Sequence, residues 1–231
     1  MGYRRIRDEL SVNHGMAVND KRVLRICRSE QIQSTIKWRP KSCTRSSRNP
    51  DHIAKNYLHR EFHTAAPNEK WLTDVTEFKY YIGIEVHKIY LSAILDLYDR
   101  RIVAFKISDR NDNLLIMDTF DEAVRLEPDA RPLFHSDRGF QYTSRQFYTR
   151  LKEHHMKQSM SRVAHCIDNG PMEGFWGILK REMYYGNRFE RKQELMEAIT
   201  NYLDYYNNRR LQRKLKVMTP MAYHNQYILA A

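Results

Sequence analysis

The chain begins with two short stretches in which apolar residues recur at helical spacing. They predict helices over residues 3–10 and 20–31, with Asn19 as the N-cap of the second helix. The pair is typical of part of a helix-turn-helix and equally of an ordinary helical hairpin. Residues 31–50 contain no acidic residue, and serines and prolines interrupt any period, which predicts an exposed basic linker.

Beyond Pro67 the pattern changes to that of strands. Residues 71–81, 88–96 and 101–107 are rich in aromatic and β-branched residues and predict three consecutive antiparallel strands. Helices are then expected over 111–126, 143–154, from 169–171 towards 184, and through 195–206, with short strands near 133–134 and 158–161. This order predicts a ribonuclease H-like α/β fold, a mixed five-stranded sheet flanked by helices.

The predicted elements divide the chain into three regions. We expect a partial helix-turn-helix-like basic region over residues 1–32, a basic linker over 33–60, and the main folded domain over 61–226. A chain of 231 residues can bury one sizeable core, with a small accessory module beside it.

The net charge of +11 is concentrated near the start of the chain. Residues 1–60 hold fourteen Lys and Arg against five Asp and Glu, whereas residues 61–231 hold twenty-five against twenty-three. A localised excess of cations favours a polyanionic partner such as double-stranded DNA, although a basic surface that only aids solubility is also compatible with it. Arg22 and Arg25, on the exposed face of the second helix, are candidate DNA contacts.

Several classes of protein are disfavoured. No apolar run reaches the eighteen or so residues of a membrane span, and residues 1–10 have no secretory signal, so we expect no membrane partner and a cytoplasmic location. Cys27, Cys43 and Cys166 are odd in number and widely spaced, which argues against a disulfide framework and against a cysteine zinc site.

Three carboxylates occupy positions where the predicted elements would hold them rigidly. Asp74 lies inside the first strand, where a charge among β-formers is unfavourable unless it is paired or metal-bound. Asp137 follows the fourth strand, at the edge where α/β sheets gather ligands. Glu173 falls in the first turn of a helix, where the macrodipole favours an ionised carboxylate, and Lys180 follows seven residues later.

Each acid also has a purely structural interpretation: an aspartate on a strand can accept hydrogen bonds, and a glutamate in a first turn can interact with the dipole alone. Together, in this order of elements, the three predict a metal site. Oxygen-only ligation selects Mg²⁺ or Mn²⁺, and two such ions about 3.5 to 4 Å apart would suit phosphoryl transfer.

Six short segments of the chain carry a family resemblance: WLTD at 71–74, YLSAILD at 90–96, HSDRG at 135–139, DNGPME at 168–173, YNNRR at 206–210 and TP at 219–220. They closely resemble segments of bacterial insertion-sequence transposases, which belong to the retroviral-integrase-like superfamily with a DDE catalytic core. The resemblance covers about residues 2–226 and identifies 61–226 as an integrase-type catalytic domain.

The resemblance implies roles for individual residues. Asp74, Asp137 and Glu173 would be the catalytic, metal-binding triad, and Lys180 would contact the transposon end. The loop after the second aspartate would border the site and contact DNA through Arg138, Gln141 and Tyr142.

The family also implies partners. In this family the downstream reading frame supplies catalysis, and an upstream-frame product supplies most end recognition. We therefore expect binding to transposon ends and target DNA, a homo-oligomer on DNA, an upstream-frame partner, and association with the bacterial nucleoid when DNA is bound. Residues 2–6 correspond to the middle of the family's N-terminal region, which disfavours autonomous end recognition.

Three functions follow as hypotheses. The first is a Mg²⁺-dependent transposase that nicks DNA at element ends and transfers the freed strand. The second is a truncated, non-catalytic DNA-binding regulator, which the basic first sixty residues would favour. The third is a ribonuclease acting on RNA–DNA hybrids, since the fold alone does not distinguish it from the first.

Overall fold

The computed structural model describes residues 2–34, 52–162 and 166–230, and of Cys166 and Ile167 only the backbone. Two helices open the chain, α1 (Tyr3–His14) and α2 (Asp20–Ser29). Gly15 ends α1 in the left-handed conformation (φ 63°), which glycine adopts without strain. Asn19 caps α2 as predicted, because its side chain accepts a hydrogen bond from the Lys21 N–H at 2.8 Å.

A five-stranded sheet follows, built from β1 (Lys70–Ile82), β2 (Glu85–Asp96), β3 (Ile102–Ser108), β4 (Leu133–Ser136) and β5 (Lys157–Met160). The strand order across the sheet is β3-β2-β1-β4-β5. Strands β1, β2 and β3 pair antiparallel, whereas β4 lies parallel to both β1 and β5. The predicted mixed sheet is confirmed, and β1 and β2 form a longer hairpin than the sequence pattern indicated.

Helices cover both faces of the sheet. The helices are α3 (Asn113–Leu126), α4 (Arg145–Glu153), α5 (Gly170–Leu179), α6 (Lys192–Asn208) and α7 (Pro220–Ala230). One core joins α3 and α4 to the sheet through Trp71, Phe120 and Phe147, and the other joins α5 and α6 to it through Leu72 and Phe175. Since Trp71 and Leu72 are neighbours on β1, strand alternation alone sends them into opposite cores.

The end of the expected basic linker packs against the sheet. The His52 N–H donates to Thr143 O at 2.9 Å, and Lys55 O accepts the Met160 N–H at 3.3 Å, so this segment covers the exposed edge of β5. Leu58 is 1% exposed. The packed region therefore starts before residue 61; the remainder of the expected linker, residues 35–51, lies outside the described residues, as does Cys43.

The sequence pattern did not predict α7. Tyr98, in the β2–β3 turn, contacts the rings of Tyr223 and Tyr227 with centroids 5.2 Å away in each case. His224 Nδ1 lies 2.8 Å from Asp99 Oδ2, which is fully buried. Aromatic contacts hold this helix near its start and along one face. Its own apolar residues show little helical period, which is why the sequence pattern did not reveal it. Among the described helices, none has the length and apolarity needed to cross a membrane.

Candidate active site

The register of two parallel strands places the first two carboxylates side by side. Leu72 on β1 is opposite His135 on β4, so Asp74 and Asp137 each come two residues beyond a matched pair. Both side chains are half-buried, and the negative charge of Asp137 raises the pKa of Asp74. The sheet therefore brings together two acids that lie far apart in the sequence.

Two donors fix the Asp74 carboxylate. The Val75 N–H donates to Oδ1 at 2.8 Å, and the indole N–H of Trp176 donates to Oδ2 at 3.0 Å. Burial, followed by repulsion from Asp137 and Glu173, raises the pKa of Asp74 to about 7 despite these hydrogen bonds. The carboxylate is thus held in place in an environment that disfavours its negative charge.

We expect this charge to make the metal-free protein less stable at neutral pH. Because the pKa of Asp74 is raised on folding, its ionisation penalises the native state increasingly as pH rises from about 4 to about 7. Asp74→Asn should therefore raise the free energy of unfolding by about 1–2 kcal/mol at pH 8, and by much less near pH 4.

Urea unfolding in EDTA at several pH values measures this difference. Asp129→Asn, which removes one negative charge at an exposed acid outside the site, is the matched control. An Asp74→Asn effect that is constant with pH would contradict the raised pKa.

Asp137 is held by the turn that follows β4. The Gly139 N–H donates to Asp137 Oδ1 at 2.8 Å, while burial raises the pKa of this carboxyl. A β-carbon at residue 139 would lie 3.0 Å from Asp137 Oδ1 and 3.1 Å from Gln141 Oε1. Such contacts are tighter than most β-carbons make, so a larger residue would require the carboxylate and the amide to move by a few tenths of an ångström.

With the catalytic role that the resemblance implies for Asp137, Gly139→Ala should displace this carboxylate by a few tenths of an ångström and lower DNA strand transfer about tenfold or more, because catalytic groups tolerate little misplacement. Strand-transfer rates measured beside a thermal melt would separate this effect from unfolding. Gly170→Ala is the matched control, since a β-carbon there meets nothing within 4 Å. Equal activity of the two variants would show that the tight contact is unimportant.

Helix α5 brings the third carboxylate to the same place. The Asn169 side-chain N–H donates to Thr73 O at 3.1 Å, and Trp176 reaches Asp74, so the first turns of α5 are fastened to β1. Glu173 lies three residues before Trp176, on a neighbouring part of the same helix face. It is half-buried, and its charge contributes to the raised pKa of Asp74.

Lys180 follows α5 and also faces this region. Its amine lies 5.2 Å from the centre of the Phe78 ring. Burial lowers the pKa of Lys180, and the charges of Asp74 and Glu77 oppose that change. A cation is therefore held beside the carboxylates, on the side of the site that β1 and α5 share.

The chain is similar to known proteins in sequence and in structure. Two models described as an integrase core domain match residues 64–166 and 173–228, and a model of an HTH-like domain matches residues 1–41. The chain is 39% identical over 226 residues to the putative transposase InsK of insertion sequence IS150 from Escherichia coli K12, covering 97% of this chain and 77% of that protein. The chain belongs to the insertion-sequence transposases with an integrase core. Its function is DNA transposition.

Other similarities agree with this family. An uncharacterized transposase-like protein of Haemophilus influenzae is 43% identical over 175 residues, which cover 76% of this transposase and 79% of that protein. The HTLV-2 integrase catalytic core domain in complex with magnesium superposes with a TM-score of 0.54 at 19% identity, covering 70% of this chain and 99% of that one. A simian T-cell lymphotropic virus intasome chain gives 0.58 at 16% identity, covering 94% and 73%. These structures confirm the ribonuclease H-like fold.

Two residues of the transposase lie elsewhere than expected. Gln141 is 4% exposed and Tyr142 is 1% exposed, so neither presents a surface to DNA. Gln141 donates to the side chain of Asn111, and the Tyr142 hydroxyl shares a hydrogen bond of 3.1 Å with Thr73 Oγ1, beneath the site. The turn after Asp137 directs both side chains into the core of this structure, and their contact with DNA stays a prediction.

The remaining candidate DNA contacts are at the surface. Arg138 is half-buried and donates from Nε to Ser161 O at 2.8 Å. Arg22 and Arg25 are exposed on α2. Candidate DNA contacts therefore lie at the surface both in the turn after Asp137 and on the exposed face of α2.

Two further residues support the site, and the sequence pattern did not single them out. Trp176 follows Glu173 by three residues, a spacing that could have indicated a shared helix face. Asp168 directly precedes the helix region, where an aspartate is typical of a cap. Its fully buried carboxylate instead accepts hydrogen bonds from the side chains of Arg60 (2.6 Å), Arg162 (3.0 and 3.1 Å) and Asn56 (3.0 Å).

The donor set of the site fits a hard divalent cation. Across residues 2–34, 52–162 and 166–230, no group of three or more His, Cys, Asp or Glu is already arranged to hold a metal ion. However, the carboxylates of Asp74 and Asp137 repel each other, Glu173 adds to this repulsion, and all three remain partly open to solvent. Oxygen ligands with excess negative charge are what Mg²⁺ and Mn²⁺ prefer.

Proposed function

We propose that Asp74, Asp137 and Glu173 form the catalytic triad of this transposase and hold its metal ions. The observation that carries this proposal is the pair of half-buried carboxylates on parallel strands, each fixed by a backbone N–H, with Glu173 close enough to raise the pKa of Asp74. The chemistry supplied by bound Mg²⁺ or Mn²⁺, as two ions, would be activation of the attacking oxygen and stabilisation of charge on the transferring phosphorus.

Groups around the triad hold its carboxylates in place or are positioned to contact DNA. Trp176 keeps Asp74 from rotating, and the Gly139 N–H does the same for Asp137, so that neither carboxylate must reorganise when DNA binds. The Lys180 amine lies over the Phe78 ring and interacts with the charge of Asp74, and there it would contact a phosphate of the DNA end. Arg138, in the turn after Asp137, would border the same site.

The DNA partner is double-stranded DNA, both as the ends of the element and as the target. Arg22 and Arg25 would contact it through the N-terminal helices, which we assign to residues 1–32, and the catalytic domain would occupy 61–226. We propose that the transposase acts as a homo-oligomer on DNA, because two ends must be joined to one target. The upstream-frame product would supply further end recognition.

A strand-transfer assay tests the proposal. The purified chain is incubated with labelled double-stranded DNA carrying the sequences that flank its own reading frame and with a target plasmid, in Mg²⁺ or in EDTA, with and without the upstream product. We expect nicked ends and joined products in Mg²⁺ only. Binding without any nicking would instead indicate a regulator, and cleavage confined to an RNA–DNA hybrid would indicate a ribonuclease.

A further inference from the structure

The polypeptide changes its helical form directly after α5. Residues Lys180–Tyr184 make a π-helical turn, in which the Tyr185 N–H donates to Lys180 O at 2.6 Å. Tyr184 fastens this turn to β1, because its hydroxyl donates to Lys79 O and accepts the Lys79 N–H, each at 3.0 Å. Such wide turns are rare and occur frequently at functional sites, and this one begins with Lys180.

Glu182 lies in the middle of the π-helical turn and is almost entirely surrounded by donors. Its carboxylate accepts hydrogen bonds from Arg5 at 2.5 and 3.2 Å, from Arg210 at 3.0 and 3.1 Å, and from the Tyr202 hydroxyl at 3.0 Å. The side chain is 11% exposed. Burial tends to raise the pKa of Glu182, but the two arginines outweigh it and lower the pKa to about 2.

The two arginines reach Glu182 from opposite ends of the chain. Arg210 follows α6 and is itself buried, so it belongs to the core of the catalytic domain. Arg5 lies on α1, 177 positions before Glu182. The same carboxylate therefore joins the N-terminal helices to the turn that carries Lys180.

A second set of ion pairs holds the N-terminal helices in this orientation. Arg213 donates to Asp8 at 2.8 and 3.1 Å, to Asp20 at 3.1 Å, and to Arg4 O at 3.1 Å. Asp8 belongs to α1 and Asp20 to α2, so both helices are fixed to the segment after α6. In this arrangement Arg22 and Arg25 of α2 remain exposed and can engage DNA.

We propose that Glu182 is a positioning residue for strand transfer: by joining Arg5 of α1 to the π-helical turn, it sets the Lys180 amine beside the carboxylate site and couples the N-terminal helices to catalysis. This inference rests on the proposed function. Removing Arg5 leaves Glu182 with Arg210 and Tyr202, so the catalytic domain keeps its fold while the coupling is lost. Substituting Arg5 therefore tests the link between α1 and the π-helical turn more specifically than substituting Glu182.

Two measurements on Arg5→Ala test the proposal. We expect the rate of single-turnover strand transfer at saturating DNA to fall about tenfold, because the loss of charge-assisted hydrogen bonds has an effect of this size. The affinity for DNA should change by less than about threefold. In the metal-free protein, amide hydrogens of residues 180–185 should exchange about tenfold faster. Arg5→Lys, which keeps a cation, should restore part of both effects.

Arg4→Ala is the matched control, because it removes the same charge from the same helix at an exposed side chain. It should change rate and amide exchange by less than twofold. The proposal is overturned if Arg5→Ala matches Arg4→Ala in amide exchange, or if it weakens DNA binding with no loss of rate. A wild-type chain that is inactive in Mg²⁺ would refute the proposed function instead, and the amide exchange would still decide whether Arg5 holds the turn.

Discussion

Asp137→Asn is expected to abolish DNA strand transfer while leaving the fold intact. The substitution keeps the size of the side chain and its hydrogen bond from the Gly139 N–H, but it removes one negative charge from the pair formed with Asp74. A neutral amide binds Mg²⁺ poorly, so we expect the rate to fall at least about a hundredfold, the scale of losing one preorganised electrostatic group. The readout is the amount of joined DNA formed from labelled ends in Mg²⁺.

Asp129→Asn, at an exposed position of the loop after α3, is the control and should keep full activity. A melting temperature measured for both variants excludes unfolding as the cause. Retention of near wild-type strand transfer by Asp137→Asn would remove this residue from the catalytic triad and would leave the two-metal proposal without one of its ligands.

Asp168→Ala is expected to have the largest effect on stability. The carboxylate is fully buried and joins Arg60, which precedes the sheet, to Arg162, which follows β5. Hydrogen bonds from Arg162, and then from Arg60, hold the pKa of Asp168 far below its usual range, so its contribution to stability is fully present above about pH 4 and is lost in stronger acid.

Removing a buried partner of an ion pair costs about 3–5 kcal/mol when the remaining charge stays buried. Here Arg60 and Arg162 are 41% and 52% exposed and can regain water, so we expect a loss nearer to about 2–3 kcal/mol. Urea unfolding at pH 7 measures it. Strand transfer should also fall, since Asp168 directly precedes Asn169, which fastens α5 to β1.

Asp109→Ala provides the comparison for this loss. Asp109 forms an ion pair with Lys192, but both side chains are well exposed, so the change in the free energy of unfolding should stay within about 0.5 kcal/mol. If the two substitutions cost the same, the buried network around Asp168 does not stabilise the fold.

Local patterns predicted the elements where burial imposes a clear period. The alternation around Asp74 and the apolar residues before Asp137 correctly indicated β1 and β4, because a strand with a buried face must alternate. Local patterns did not predict α7, since its contacts come from Tyr98 and Asp99 rather than from its own apolar face. The π-helical turn was missed for a similar reason, because Lys79, Arg5 and Arg210 hold it from outside.

The sequence by itself determined the order of the strands and of the helices as far as α6, the mixed sheet, and the transposase family, because hydrophobic period and short motifs are local properties of the chain. Only the tertiary structure decided which side chains around the motifs face the site. It buries Gln141 and Tyr142, brings Trp176 to Asp74, and surrounds Glu182 with Arg5 and Arg210. Such contacts join residues tens to more than a hundred positions apart, and their geometry depends on how the finished helices pack on the sheet.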